Sequence, residues 1–244
     1  MFNQNRLLIV LFRNCGFILL FIFFSCSGCS EREQSFFPLS KGYKWRYDVL
    51  LETRDGVRKQ KYILNNLGES ELEGAPVYRR ESLDGTILYY SISNEGIHYL
   101  GNINDKAISP VFNGDKQLVI PELHTVNRKW EQSTTTRLLK KTGPPQKTVF
   151  EIFANVDMEA KIESLDDIVT VPAGRFENCM KITMSGSSFK DAGNYIGLTL
   201  VNVEQTSWYA QGVGLIKMQR LETTKSDALD KGTLLIELAD FEIN

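Results

Sequence analysis

Four cysteines and two histidines are the side chains of this sequence best suited to chemistry. His98 and His124 lie 26 residues apart, and neither has a second His or Cys at the spacing that zinc ligands need, so no metal site is expected. Cys179 lies in an alternating run of apolar and polar residues, which predicts a buried thiol rather than a reactive one. Cys26 and Cys29, near the start of the chain, are therefore the remaining candidates for a chemical role.

Motifs that would carry catalysis are missing from the sequence. There is no Gly-x-Ser-x-Gly elbow and no phosphate-binding loop, and Gly212-x-Gly214 is not followed by a helix-like run. The carboxylate clusters at 69–73 and 166–167 have turn-like surroundings, which favour a solvated surface over an acid–base pair. We therefore expect no enzymatic activity and no cofactor.

The first thirty residues have the layout of an export signal. Arg6 and Arg13 make the start positive, an apolar run follows from Cys15 to Phe24, and small residues with a cysteine come next. That order is typical of a secretory signal peptide, which we place at residues 1–28. The alternative is an uncleaved membrane span, but Arg13 would then lie mid-membrane, where a charge costs about 2.5–3.5 kcal/mol.

A cysteine directly after small residues at the cleavage point resembles the lipobox of bacterial lipoproteins. Cys29 follows Ser27 and Gly28 and is the better match, and Cys26, which follows Ser25, is the alternative. Acyl chains such as palmitate on this cysteine would anchor the protein stably in a membrane. A serine follows either cysteine, which in enterobacterial sorting favours the outer membrane. We therefore expect a lipid-anchored protein of the cell envelope, on the periplasmic face of the outer membrane.

Charge and length limit the function further. Removal of residues 1–28 leaves 26 basic side chains against 30 acidic ones, a net charge of −4. No basic excess is available to neutralise phosphates, so a nucleic-acid partner is not expected. About 215 residues can form one all-β domain with a substantial core. If Cys29 carries the lipid, Cys179 is the last free thiol; if Cys26 does, Cys29 and Cys179 remain to pair.

Short alternating runs between tight turns predict an all-β domain over residues 36–244, after a polar tether at 29–35. Tyr43, Trp45 and Tyr47 alternate with charged residues, which places three aromatic side chains on one face of a strand. Asp55-Gly56 then predicts a hairpin turn, and similar runs continue at intervals of roughly ten residues. The pattern weakens over 102–130, where we expect long loops. No segment has a sustained helical period, so an antiparallel sheet with little helix is expected.

Three short motifs carry a family resemblance. They are Phe37-Pro38-Leu39-x-x-Gly42-x-x-Trp45-x-Tyr47, Val171-Pro172-Ala173-Gly174-Arg175-Phe176-x-x-Cys179 and Trp208-Tyr209-Ala210-x-Gly212-Val213-Gly214-Leu215-Ile216-Lys217. The set resembles a group of uncharacterised bacterial lipoproteins and periplasmic proteins whose domains are similar to the half-barrel carriers of outer-membrane lipoprotein localisation. The resemblance implies a single, strongly curved antiparallel sheet, as a half-barrel or an open barrel.

Two functions fit a protein of this kind. The first is binding of an apolar ligand, such as an acyl chain, or of part of a cell-envelope molecule, in the concave face of the sheet. The candidate ligand-binding residues are Tyr43, Trp45, Tyr47 and Trp208. The alternative is a structural or assembly lipoprotein that docks onto an outer-membrane protein complex through a sheet edge or loop. Its candidate contacts are the Gly143-Pro144-Pro145 loop and the 102–130 segment.

Overall fold

The computed structural model describes residues 34–53, 56–104, 111–143, 148–193, 196–226, 229 and 231–243. All of them lie in one unit, Arg32–Asn244. The predicted signal peptide, both candidate lipidation cysteines, Cys26 and Cys29, and most of the tether lie outside the described residues. So do Asp55 and the Pro144-Pro145 pair of the predicted contact loop.

The described residues form fourteen strands and no helix, which confirms the all-β prediction. The strands are β1 Tyr43–Thr53, β2 Gly56–Leu72, β3 Ala75–Ser82, β4 Ile87–Ser93, β5 Gly96–Ile103, β6 Val111–Pro121, β7 Lys129–Thr135, β8 Lys140–Gly143, β9 Thr148–Glu151, β10 Asn155–Val171, β11 Gly174–Asp191, β12 Leu198–Ala210, β13 Gly214–Thr224 and β14 Gly232–Ile243. None of the described residues belongs to a helical segment that could span a membrane.

Twelve of the strands form one antiparallel sheet that curves into a nearly closed barrel. Their order is β6-β5-β4-β3-β2-β1-β14-β13-β12-β11-β10-β7, and β8 and β9 make a separate hairpin. Strands β1 to β6 are therefore a meander, as the closely spaced turns predicted. The strongly curved single sheet predicted from the family resemblance is confirmed. Strands β6 and β7 are left as the two edges.

Local alternation explains why these segments become strands. In β1 the odd-numbered aromatic residues face inward, and Tyr43, Trp45 and Tyr47 are at most 3% exposed. Arg46, between them, points outward and pairs with Asp240 and Glu242 of β14. One face of the strand thus loses its apolar surface to the core while the other keeps its charges in water.

Two turns predicted from the sequence appear where expected. Strands β1 and β2 form a hairpin in which Thr53 is opposite Gly56. Strands β10 and β11 are joined through Pro172 and Ala173, with Val171 opposite Gly174. Gly174 has a φ of 135°, a backbone conformation that residues with a side chain rarely adopt. This explains the glycine at this position of the motif.

The expectation of long loops over 102–130 was wrong for the middle of this segment, because β6 occupies Val111–Pro121. Pro121 is the last residue of this edge strand, a position where proline does not interrupt a ladder. A true loop follows over residues 122–128 and leads into β7.

The pairing of strand β10 is irregular, and the C-terminal end of this strand lies across the barrel, near β14. The β10–β11 pairing shifts register three times between Ile162 and Val169. Beyond the shifts, the hairpin tip reaches β14, where the Ala173 amide donates to the Leu238 carbonyl over 3.0 Å. Bulges bend and twist the strand that carries them, which lets this hairpin cover part of the barrel interior.

A buried ion pair holds the connection between β7 and β8 against the inner face of β13. Arg220 Nε lies 2.7 Å from Glu222 Oε1, and Glu222 is fully buried. Glu222 also accepts hydrogen bonds from the amides of Arg137 and Leu138, at 3.0 and 2.8 Å. A buried carboxylate needs such partners, and here they fix the chain segment that covers this part of the core.

Candidate functional site

The two edge strands of the barrel meet without a backbone ladder in the described part of the chain. Side chains of β7 bridge the gap instead. Trp130 Nε1 donates to the Leu118 carbonyl over 2.9 Å, and Gln132 Nε2 donates to the same oxygen. Nearby, Gln117 Nε2 donates to Ser133 Oγ over 2.7 Å. We call this junction, Gln117–Val119 of β6 with Trp130–Ser133 of β7, the seam.

Directly behind the seam lies an apolar cluster. Ile120 of β6 and Trp130 of β7 belong to it and are 3% and 8% exposed. Its other buried members come from the N-terminal segment and from strands on both sides of the seam: Phe37, Leu39, Tyr90, Ala160, Ile162, Met180 and Ile182. A separation of the two edge strands would therefore open onto apolar side chains.

Arg80 lies beside this cluster as a buried cation. Its guanidinium carbon is 4.2, 4.7 and 5.4 Å from the ring centroids of Phe37, Trp45 and Tyr90. Nε donates to Asn66 Oδ1 over 2.9 Å, and Nη2 donates to the Pro38 carbonyl over 2.8 Å. Aromatic faces and neutral oxygens stabilise this charge, since no carboxylate forms an ion pair with it among the described residues.

The N-terminal segment that Arg80 holds is tied to a second part of the barrel as well. The Gly212 amide donates to the Ser35 carbonyl over 2.9 Å. Trp45 Nε1 donates to the Val213 carbonyl over 2.6 Å. A Cβ on Gly214 would lie 3.3 Å from Pro38 Cδ, so the glycine allows this close approach. Residues 34–42 thus connect the β12–β13 turn with β2 and β3.

These contacts bring the three sequence motifs together. Pro38 and Trp45 of the first motif contact the glycine turn of the third. Val171 and Cys179 of the second motif belong to the same buried cluster as Trp45. Cys179 is completely buried, as its alternating run predicted, and burial raises its pKa to about 11. The motifs therefore specify one packed region of the barrel.

Four tyrosines, Tyr47, Tyr62, Tyr90 and Tyr209, lie near enough to Arg80 to feel its charge. Burial raises the pKa values of Tyr90 and Tyr209 to about 12 and also raises those of Tyr47 and Tyr62, while the Arg80 charge opposes the shift in all four. Tyr47 donates its hydroxyl to the Leu215 carbonyl over 3.0 Å. The interior around Arg80 therefore carries phenol groups and a guanidinium among apolar side chains.

The candidate ligand-binding residues divide into two groups. Tyr43, Trp45 and Tyr47 are buried together, and the rings of Tyr43 and Trp45 stack with centroids 5.5 Å apart. Trp208 packs against the same cluster but is only partly buried. Its Nε1 donates to Asp167 Oδ2 over 2.9 Å, and its ring lies 5.9 Å from Lys181 Nζ.

The histidines lie in different surroundings. His98 is a buried residue of β5 whose Nε2 is 3.5 Å from a Glu95 carboxylate oxygen. His124 lies in the 122–128 loop with its ring edge-on to Phe36, 5.1 Å between centroids. Burial lowers the pKa of His124, which favours its neutral form. Among the described residues no three metal-ligating side chains converge.

Arg80, Trp130 and Gln132 were not recognised from the sequence as site residues. The only sequence signal for Arg80 was a basic residue within a predicted strand. The β2–β3 pairing shifts register between Asn66 and Gly68, so alternation along the sequence does not show which face of the sheet Arg80 occupies. Trp130 and Gln132 become notable only because two edges far apart in the strand order come together. No local pattern marks such a junction.

Two solved structures resemble this chain at low identity. One is a candidate lipoprotein from Parabacteroides distasonis, 16% identical, with a TM-score of 0.39, covering 86% of this chain and 99% of that chain. The other is a candidate exported protein with a YmcC-like fold from Bacteroides fragilis, 11% identical, with a TM-score of 0.39, covering 84% and 98%. No protein-family model and no curated protein matches the chain. The resemblance to the localisation carriers stays a prediction.

Replacement of Arg80 should loosen the N-terminal segment. Arg80→Ala removes two buried hydrogen bonds and leaves a cavity, so we expect the free energy of unfolding to fall by about 2–4 kcal/mol. Amide exchange at Phe37 and Leu39 should rise. Urea unfolding and hydrogen exchange measure both effects. Arg79→Ala is the matched control, since Arg79 Nε is buried without a partner in the described structure, and its loss should cost less than about 1 kcal/mol. Equal effects at the two positions would contradict this role.

The buried tyrosines should make stability fall at alkaline pH. The folded state holds their protons more tightly than the unfolded state, so stability is complete below about pH 10 and declines as the pH rises towards 12, by about 1.4 kcal/mol per pH unit for each tyrosine. Tyr90→Phe should reduce this slope by one such contribution. Urea unfolding across this range, with phenolate absorbance, tests the prediction. Ionisation of all tyrosines near pH 10 in the folded protein would contradict it.

Proposed function

We propose that this chain is a lipid-anchored bacterial lipoprotein of the cell envelope whose barrel takes up an apolar ligand, such as an acyl chain, through the seam. The anchor is on Cys29, with Cys26 as the alternative, and the protein lies on the periplasmic face of the outer membrane. Binding of an apolar ligand needs neither a catalytic group nor a cofactor. The seam, with an apolar cluster directly behind it, is the observation that carries the proposal.

Energetics favour the seam as the entrance. Every other junction of the large sheet is a backbone ladder, whereas the seam rests on a few side-chain hydrogen bonds. Each such bond contributes about 0.5–1.5 kcal/mol, so breaking three of them costs about 1.5–4.5 kcal/mol, in addition to exposing the apolar side chains behind the seam until a ligand covers them. Burial of one methylene group stabilises the complex by about 0.8 kcal/mol. About five buried methylenes of an acyl chain therefore offset the cost of breaking these hydrogen bonds.

A second candidate function is docking onto an outer-membrane protein complex. It is favoured by exposed apolar side chains near the ends of β11 and β12: Phe189 is 68% exposed and Leu198 is 69% exposed. Leu198 is opposite Asp191, two positions along from Phe189, so the two side chains are near neighbours. Apolar patches at the surface mark interaction sites in many proteins. This role needs no opening of the barrel.

The anchor is tested by the mass of the protein purified from membranes. With Cys29 as the anchored residue, the mature chain begins at that cysteine and carries the added mass of its acyl chains. Cys29→Ser should abolish the modification, and Cys26→Ser should leave it unchanged. The reverse pattern would assign the anchor to Cys26. An unmodified mass for the parent protein would contradict a lipid anchor.

Cross-linking the seam should block ligand uptake. Gln117 and Ser133 already contact across it, so Gln117→Cys with Ser133→Cys, joined by a short bismaleimide, ties β6 to β7. We expect uptake of a fluorescent fatty acid to slow several-fold, because the edges can no longer separate. The matched control joins Lys129→Cys to Glu159→Cys, which contact across the β7–β10 ladder at 2.8 Å.

The outcomes separate the two functions. Slow uptake only in the protein with the joined seam supports the seam as the entrance. Equal uptake in both cross-linked proteins would exclude it. Failure of the parent protein to bind any fatty acid would contradict the apolar ligand and leave docking as the better hypothesis.

A further inference from the structure

The 122–128 loop presents two apolar side chains to solvent. Leu123 is 72% exposed, more than any other large apolar side chain among the described residues, and Val126 is 50% exposed. The two residues are three positions apart on one short loop, and their burial against another apolar phase would be favourable.

The loop holds these side chains outward by its backbone hydrogen bonds. The Glu122 amide donates to the Glu95 carbonyl over 2.8 Å, and the Asn127 amide donates to the Ile162 carbonyl over 2.8 Å. Within the loop, the Arg128 amide donates to the Thr125 carbonyl over 3.0 Å and closes a turn. Both ends of the loop are therefore attached to the barrel, and Leu123 and Val126 lie between these two points.

The loop also lies beside the point where the chain leaves the barrel towards its anchor. His124, next to Leu123, packs its ring against Phe36 at 5.1 Å. Only five residue steps separate Cys29 from Gln34, the first described residue. A fully extended chain spans at most about 3.3–3.6 Å per residue, so this tether reaches about 18 Å. A lipid on Cys29 thus holds this side of the barrel close to the bilayer.

We propose that the 122–128 loop inserts Leu123 and Val126 into the surface of the membrane to which the protein is anchored. This inference rests on the lipid anchor of the proposed function. A bilayer is favoured over a protein partner because the short tether brings the loop to the membrane whether or not any protein is present. Arg128, an exposed residue of this loop, would then lie at the height of the lipid headgroups, where basic side chains attract anionic lipids.

The test uses the full chain, purified with its lipid and placed in vesicles of phosphatidylethanolamine and phosphatidylglycerol. Leu123→Cys carries an environment-sensitive fluorophore, and some of the lipids are brominated on their acyl chains. The matched control is Leu198→Cys, which is equally exposed but lies between β11 and β13. With the lipid on Cys29, Cys179 is the one other thiol of the mature chain, and it is fully buried and does not compete for the label.

We expect brominated lipids to quench the label at position 123 strongly and the label at position 198 hardly at all. A label at Val126→Cys should behave like the one at 123. A lipid-modified protein, verified by its mass, whose label at 123 is no better quenched than that at 198 would overturn the loop inference and leave the anchor standing. A mass without acyl chains would overturn the anchor, and with it the reason for placing this loop at a membrane.

Discussion

The hydrogen bonds that Trp130 and Gln132 donate to the Leu118 carbonyl close a barrel that its backbone leaves open. A sheet of twelve strands must either pair its edges or protect them, because unpaired amides and carbonyls at an edge attract other strands. Here two side chains from one edge satisfy a carbonyl of the other. The apolar cluster behind them keeps the edges together by burial, so closure is stable and yet lacks the continuous ladder found elsewhere in the sheet.

The N-terminal segment and Arg80 complete the interior that this closure creates. A guanidinium buried among aromatic rings is costly unless it is hydrogen-bonded, and Asn66 and the Pro38 carbonyl meet that need. The same hydrogen bonds hold the segment just before β1 against the inner faces of β2 and β3. The Arg220–Glu222 pair acts similarly on the chain between β7 and β8. Arg80 and the Arg220–Glu222 pair thus each order a segment that has no ladder of its own.

This arrangement places the start of the described chain, the 122–128 loop and the seam in the same part of the barrel. Residues 34–36 and the 122–128 loop share one region, joined by the contact between Phe36 and His124. Strand β7 connects that loop directly to the seam, since it begins at Lys129 and contributes Trp130 and Gln132. A membrane-facing loop and an opening for an acyl chain would therefore be one strand segment apart.

The sequence by itself determined the all-β class, the turns and the inward face of β1, because a period of two and turn-forming pairs such as Asp55-Gly56 act over a few residues. Tertiary structure decided the rest. The motif residues Pro38, Trp45 and Gly214 meet only because strands distant in sequence become neighbours, and register shifts in β2 and β10 change which face a side chain occupies. The seam has no local signal at all, since it depends on the curvature accumulated over twelve strands.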